Sequence, residues 1–382
     1  MFSVTSLGFL PFMALFVCLW YRVPQPSRWK LVLAANAVFC LSIDIGAFFA
    51  VALATAVVWQ AAQHAQPEPP SRRGWLALGL AAALLPLLVL KYSGMLVPGL
   101  RDLYKPFGLA YYSLQLAGYL LDVWHGRTAP TPSYARLWCY AGFFLSLTQG
   151  PFNRYNTLMP QLEAAPKTFE TQRLVSGLQR SAWGYFKKFA IADRAAIVVS
   201  AAFADPASFD RSQLIFATVM YSFQLYADFS GYTDIVLGMG EILGLHLPEN
   251  FRQPFFADSV KDIWARWHIS LSQWLRDYIY IPLGGSRCSK ARKDGNLIIT
   301  FLVSGLWHGA GLTYLVWGGL HGLCQAAENH LPLRRPGKLR HALRVAGTFC
   351  ILAGAFVIFR ASSLANAAEL FKGILCNGGH AV

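Results

Sequence analysis

The sequence predicts an all-α polytopic membrane protein, and three observations carry that reading. Of its 382 residues, 55% are hydrophobic and 14% charged, where a soluble globular protein carries roughly 25% charge. The apolar residues fall in runs, and the short loops between them hold most of the Lys and Arg, the usual inside-positive pattern of a membrane protein. Twelve Trp and sixteen Tyr suit a chain whose aromatic rings anchor at lipid–water interfaces. On a soluble chain a formal charge of +14 would suggest nucleic-acid binding. No RNP, zinc-finger or basic-zipper pattern accompanies it here, so membrane lipid is the expected partner and nucleic acid is not.

The elements follow in order. The first apolar run, about residues 6–21, lacks a basic leader and a small-x-small cleavage site and reads as a retained helix. Further runs cover residues 31–45, 46–63 and 75–90, the last ended by Lys91, with a Pro-rich basic loop over residues 66–73. Residues 107–124 and 137–147 are apolar again. Residues 156–188 mix polar side chains with Trp183, Tyr185 and Phe186, which reads as an interfacial amphipathic stretch rather than a span. After a short run over 190–203, residues 214–226 read as a span running into ADFSGYTD (227–234), followed by a second run over 235–247. Residues 351–359 belong to the last clear span. The seven cysteines (Cys18, Cys40, Cys139, Cys288, Cys324, Cys350, Cys376) are scattered and mostly inside apolar runs without a C-x-x-C. They read as small buried hydrophobes, not as a disulfide or metal framework.

Charge sets the orientation. Arg22, Arg28 and Lys30 follow the first helix; Arg287, Lys290, Arg292 and Lys293 form the most basic loop; Arg334, Arg335, Lys338, Arg340 and Arg344 form the next cluster. The inside-positive rule places all three in the cytoplasm and the N-terminus outside. The segments 296–317 and 320–331 then form a hairpin open to the cytoplasm. At about 1.5 Å per residue His308 lies roughly 18 Å from Asn296, near the middle of a hydrocarbon core about 30 Å thick.

Two histidines on apolar segments are the candidate catalytic groups. His308 sits in SGLWHG, flanked by Gly305 and Gly309, with Ser304 one turn earlier on the same face and Trp307 beside it. An ionisable residue at membrane depth reads as functional by default; the alternative is a core histidine bonded to a neighbouring helix. His268 is read on one continuous helix over 264–280. Trp264, Trp267, Leu271, Trp274, Leu275 and Tyr278 form its apolar face at about 100° per residue. Asp262, Arg266, Ser270, Gln273, Arg276 and Asp277 form its polar face, and His268 falls on the margin. It is either satisfied in the core or aimed at a buried cavity. Asp228 and Asp234, at the end of a span, need partners, for which the Arg-rich 264–280 helix is the expected source. They either orient a catalytic group or form structural ion pairs. His321, one turn past Trp317, either lines the same cavity or packs. Walker A, H-E-x-x-H and G-x-S-x-G are absent. So is a His, four residues, then Asp: His268 leads to Gln273 and His308 to Thr313.

RWHISLSQWLRDYIYIPLGG (266–285), SGLWHG (304–309), YADFSGYTDIVLGMG (226–240) and VIFRASSLANAAELF (357–371) resemble the membrane-bound O-acyltransferase family. The likeness is to its bacterial branch, the alginate O-acetyltransferase and teichoic-acid D-alanyltransferase proteins. PFGLAYYSLQLAGYLLDVWHG (106–126) and TQGPFNRY (148–155) extend the likeness over nearly the whole chain.

The resemblance implies a ring of roughly 10–12 transmembrane and re-entrant helices around a central funnel or tunnel. It implies one such domain over 1–382, with N-terminal helices (1–150), an interfacial region (151–205), a catalytic core (206–330) and a C-terminal helix and tail (331–382). Relatives of the alginate type run on past the VIFRASS region; a short variant and a missing extension both stay open. The family's essential histidine maps onto His308 and its second position onto His268. Tyr226, Asp228, Trp264, Arg266, Trp267, Ser304, Trp307 and His321 are the expected substrate-binding residues, with no metal and no bound cofactor.

The implied reaction moves an acyl group, foremost acetyl, from a cytoplasmic acetyl-CoA or acyl carrier protein thioester to a hydroxyl. The acceptor lies outside a bacterial inner membrane and is a polysaccharide, reached through a periplasmic or extracellular acyltransferase partner. D-alanyl transfer to teichoic acid is the alternative within the family. A transporter or channel with an intramembrane His/Asp pathway is the alternative outside it.

Overall fold

The computed structural model describes residues 3–65, 72–100, 103–166, 168–331 and 337–377, and among them the regular elements are all helices. The expected all-α class is therefore observed. By length and composition three of these helices can cross a membrane: Ile45–His64, Arg72–Met95 and Lys338–Arg360. The chain divides into two compact units, Met1–Tyr185 with Tyr232–Glu249, and Phe186–Gly231 with Asn250–Val382.

The first unit holds α1 (Phe9–Arg22), α2 (Arg28–Ile43), α3 (Ile45–His64), α4 (Arg72–Leu96), α5 (Leu109–Trp124), α6 (Tyr134–Ala141), α7 (Tyr155–Ala164) and α8 (Thr171–Phe186). Asp44 separates α2 from α3: its backbone is extended and its carboxylate accepts the Gly46 N–H at 3.0 Å, a helix N-cap. The helix expected to stop at Lys91 continues as α4 to Leu96. The apolar run 137–147 is helical only in part. It leaves α6 at Gly142, where Asn36 Nδ2 donates to the Cys139 carbonyl (2.9 Å) and Asn36 Oδ1 accepts from Phe144 N–H (2.9 Å). A buried amide thus satisfies backbone groups that the end of the helix leaves open. The first part of the expected basic loop, residues 66–71, lies outside the described residues, as do Arg334, Arg335 and the chain's end from residue 378.

The second unit holds α9 (Asp193–Ala204), most of α10 (Arg211–Ile242), α11 (Val260–Arg266), α12 (Ile269–Leu275), α13 (Lys290–His308), α14 (Leu312–Glu328), α15 (Lys338–Arg360) and α16 (Leu364–Cys376). A π-helical turn at Lys187–Ala192 carries the chain from α8 into α9 without a break. Its core is aromatic, with Trp264, Trp267, Phe301, Trp317 and Phe356 buried together.

Two expectations about this unit are corrected. ADFSGYTD does not end a span: α10 runs through it for 32 residues, about 48 Å at 1.5 Å per residue. Asp228 and Asp234 are therefore interior to a helix. Each has a cation from the chain before α10, and for Asp228 this replaces the 264–280 segment as the source. Lys188 Nζ lies 2.6 Å from Asp228, within the second unit, and Arg180 Nε lies 3.1 Å from Asp234, within the first.

The α13–α14 hairpin is closely packed because its contact line is glycine. A Cβ on Gly305 would collide with the Tyr314 carbonyl, and one on Gly318 with the Phe301 carbonyl. Small residues at such a seam let two backbones approach. Gly318→Leu is expected to destabilise the protein by about 1–3 kcal/mol or more, since the obstructing atoms are main chain and cannot swing aside. Thermal unfolding in detergent reads this directly, and an unchanged midpoint would contradict the close approach.

Candidate active site

His268 occupies a break in the chain, not the flank of a helix. The expected continuous helix over 264–280 is interrupted: α11 ends at Arg266 and α12 begins at Ile269. Between them Trp267 is extended and pairs with Phe251 in an isolated antiparallel bridge. The Arg252 N–H donates to the Arg266 carbonyl (2.9 Å), and the Ile269 N–H donates to the Asn250 carbonyl (3.1 Å). Asn250 Oδ1 also accepts from the Ser270 hydroxyl (2.6 Å) and the Ser270 N–H (3.2 Å). The segment 250–252 thus takes up hydrogen bonds that a continuous helix would have used itself. It leaves His268 in the left-handed region, φ 45° and ψ 49°. For a residue with a Cβ that conformation costs on the order of 1–2 kcal/mol, and strain of this kind gathers at functional sites. The wheel that placed His268 on a helix margin does not apply; the ring is buried, 2% exposed.

His308 is the last residue of α13, and the hairpin turns immediately after it, at residues 309–311. The expected arms, 296–317 and 320–331, put that turn about eight residues too late. Gly309 is extended and releases the chain from the helix. His308 is half-buried among Trp307, Trp317 and Phe359, with ring centroids at 4.8, 5.1 and 5.3 Å.

The two imidazoles meet. The His268 and His308 ring centroids are 6.4 Å apart, and Trp307 lies 6.0 Å from His268. Phe229 closes the other side of His268 at 4.6 Å. Ser304, one turn before His308, is fully buried, with an Oγ that has no hydrogen-bond partner among the described residues. A basic loop opens the hairpin that carries His308. Beside it lies a cavity of about 270 Å³. Lys261, Arg276 and Asn329 form its exposed side; Trp264, Phe301 and Gln325 form its buried side. Trp264 touches Trp317 at 5.6 Å, and Trp317 touches His308. The cavity therefore ends two aromatic rings from the histidine pair.

Residues 100–353 match the family model of the membrane-bound O-acyltransferases. The chain belongs to that family. It is 34% identical over 378 residues to the protein named "Probable alginate O-acetylase AlgI" of Pseudomonas fluorescens, an alignment covering 96% of this chain and 74% of the relative. It is 32% identical over 349 residues to the peptidoglycan O-acetyltransferase of Helicobacter pylori, covering 81% and 66%. Identity to the teichoic acid D-alanyltransferase of Bacillus subtilis is 28% over 239 residues, 60% of each chain. This chain is accordingly a membrane O-acyltransferase, as its motifs led one to expect.

Within this O-acyltransferase the other expected site residues fall into four groups. Trp307 and Ser304 belong to the histidine pair. Trp264 and His321 form the next layer: the Trp264 indole N–H donates to His321 Nδ1 (3.4 Å), and His321 is fully buried beside Trp317 at 5.0 Å. Tyr226 packs with Trp267 (6.1 Å) and Phe251 (5.5 Å) behind the break. Arg266 and Asp228 are engaged in ion pairs, with Asp262 (2.9 Å) and Lys188. Three contributors escaped the sequence reading: Asn250, Phe229 and Phe359. The last two lie inside the quoted motifs YADFSGYTD and VIFRASS. Asn250 carried no signal, because its part is to satisfy a break that periodicity did not reveal.

Proposed function

We propose that the protein O-acetylates a cell-envelope or exported polysaccharide, using a cytoplasmic thioester as donor. The observation that carries this reading is the pair of imidazoles, one half-buried at a helix end and one buried at a strained break, beside a cavity with a basic rim. His308 Nε2 or Nδ1 accepts the proton of the acceptor hydroxyl as its oxygen attacks the thioester carbonyl carbon. The tetrahedral intermediate collapses, the C–S bond breaks, and the thiolate leaves with the proton that the imidazole took. The products are an ester and a free thiol. General-base help of this kind contributes about 10²–10⁴-fold. His268 donates to the developing oxyanion, and one such donor contributes about 10²–10³-fold. Lys261 and Arg276 on the cavity and the loop Arg287, Lys290, Arg292, Lys293 bind the donor's phosphates or an acidic carrier.

In this reading the helices surround a funnel in the inner membrane, with the N-terminus outside. The acyl group reaches a periplasmic or extracellular acyltransferase partner and then the glycan. Acetyl is preferred to D-alanyl because the alginate-type relatives align over far more of the chain than the D-alanyltransferases do.

The test is reconstitution. Purified protein in liposomes, given acetyl-labelled thioester inside and a hydroxyl acceptor outside, is expected to release free thiol in proportion to ester formed. Movement of a substrate across the bilayer with no thioester consumed would replace this account with a transporter.

A further inference from the structure

His321 is a buried histidine with no part in the chemistry above. Its tautomer can be read from its neighbour. An indole N–H only donates, so His321 Nδ1 must accept from Trp264 Nε1. A neutral imidazole with an accepting Nδ1 carries its proton on Nε2. That Nε2 is buried and has no hydrogen-bond partner among the described residues. A buried N–H donor left unpaired is costly and asks for an explanation.

Its surroundings give one. Trp264 and Phe301, both on the cavity wall, pack on the His321 ring at 5.2 and 6.2 Å. Trp317 packs on it at 5.0 Å and on His308 at 5.1 Å. His321 thus stands between the cavity and the histidine pair. Two more buried polar atoms have no partner among the described residues: Trp317 Nε1, on the ring packed against His321, and Ser304 Oγ, one turn before His308. One turn further along α14, Gln325 is also on the cavity wall. A passage for a purely hydrocarbon group would not carry such a row of polar atoms.

We propose that His321 is a donor-recognition residue whose Nε2–H hydrogen-bonds an amide carbonyl in the pantetheine arm of the thioester donor. The inference rests on the acyl-transfer reading and deepens it. The reacting acyl carbonyl must lie against His308 and His268. His321 is one ring further back, and the first amide of the arm lies a few bonds behind the sulfur. Coenzyme A and a carrier protein share this arm, so the contact serves either source.

Two small donors of similar size separate the amide from everything else: S-acetyl-N-acetylcysteamine, which carries it, and S-pentyl thioacetate, which does not. With the full chain in liposomes, wild type is expected to show kcat/KM about tenfold or more higher for the amide-bearing donor, since a site built to bond a polar group rejects an analogue lacking it. His321→Phe brings the ratio close to one, chiefly by raising KM for the amide-bearing donor. His321→Gln, whose side-chain N–H falls near Nε2, restores part of the preference. Acetyl-CoA and an acetylated carrier protein, compared in the same assay, identify the source by which one wild type uses, and His321→Phe weakens that one.

A wild-type ratio near one overturns the proposal, even if His321→Phe fails to insert. So does a His321→Phe protein that loses both small donors equally and keeps the ratio, the result a packing role predicts. Failure of wild type to use any thioester overturns the acyl-transfer reading and this inference with it. Transfer without amide preference removes only the inference.

Discussion

His308→Ala abolishes acyl transfer while leaving the protein in the membrane. The imidazole is the half-buried member of the pair, and the only group at the end of α13 that can take a proton from a hydroxyl. Loss of a positioned general base costs about 10²–10⁴-fold. The fold does not depend on the ring to the same degree. His308 ends its helix, Gly309 already releases the backbone, and the Trp317–Phe359 contact at 5.1 Å survives without it. The lost ring contacts cost about 0.5–1.5 kcal/mol each at most. Labelled ester formation in liposomes, beside a thermal midpoint in detergent, separates the two effects. Transfer at the wild-type rate would sink the assignment.

The second large effect is expected at His268, where backbone and side chain can be tested apart. Both His268→Gly and His268→Ala remove the ring and should lower transfer about 10²–10³-fold, the cost of one oxyanion donor. Stability should separate them. Glycine adopts the left-handed conformation without penalty, so the Gly variant recovers on the order of 1–2 kcal/mol that the Ala variant continues to carry. The expected order of thermal midpoints is Gly above Ala, with transfer low in both. Equal midpoints would mean that the segment 250–252 does not hold residue 268 in that conformation. Undiminished transfer would remove His268 from the reaction.

The motifs put both histidines and their neighbours Trp307 and Ser304 in one candidate site, because these residues lie in two short contiguous stretches, 266–285 and 304–309. Four features were not legible. α10 runs straight through ADFSGYTD, although its two carboxylates read as the end of a span. Lys188 and Arg180 neutralise those carboxylates from the segment before α10, and pairing removes the penalty that made an ending seem necessary. The chain breaks at Trp267 and His268, although 264–280 has a good helical pattern. There Asn250 and Arg252 outbid the helix for its backbone hydrogen bonds. The α13–α14 hairpin turns at 309–311, where glycines allow it and the Gly305 and Gly318 seam positions the two arms. The lone donor on His321 arises from one contact with Trp264, 57 residues away in sequence.

From composition, charge placement and motif alone one learns the solvent this protein lives in, the family it belongs to and which two imidazoles to suspect. These are properties of single residues and short runs, and local order is enough to express them. Whether the imidazoles face each other, which ring is strained, where the hairpin folds and which buried N–H is left waiting were decided by tertiary structure. Each depends on a hydrogen bond or a close backbone approach between segments far apart in the chain, and such a pairing leaves no period or composition behind to be read.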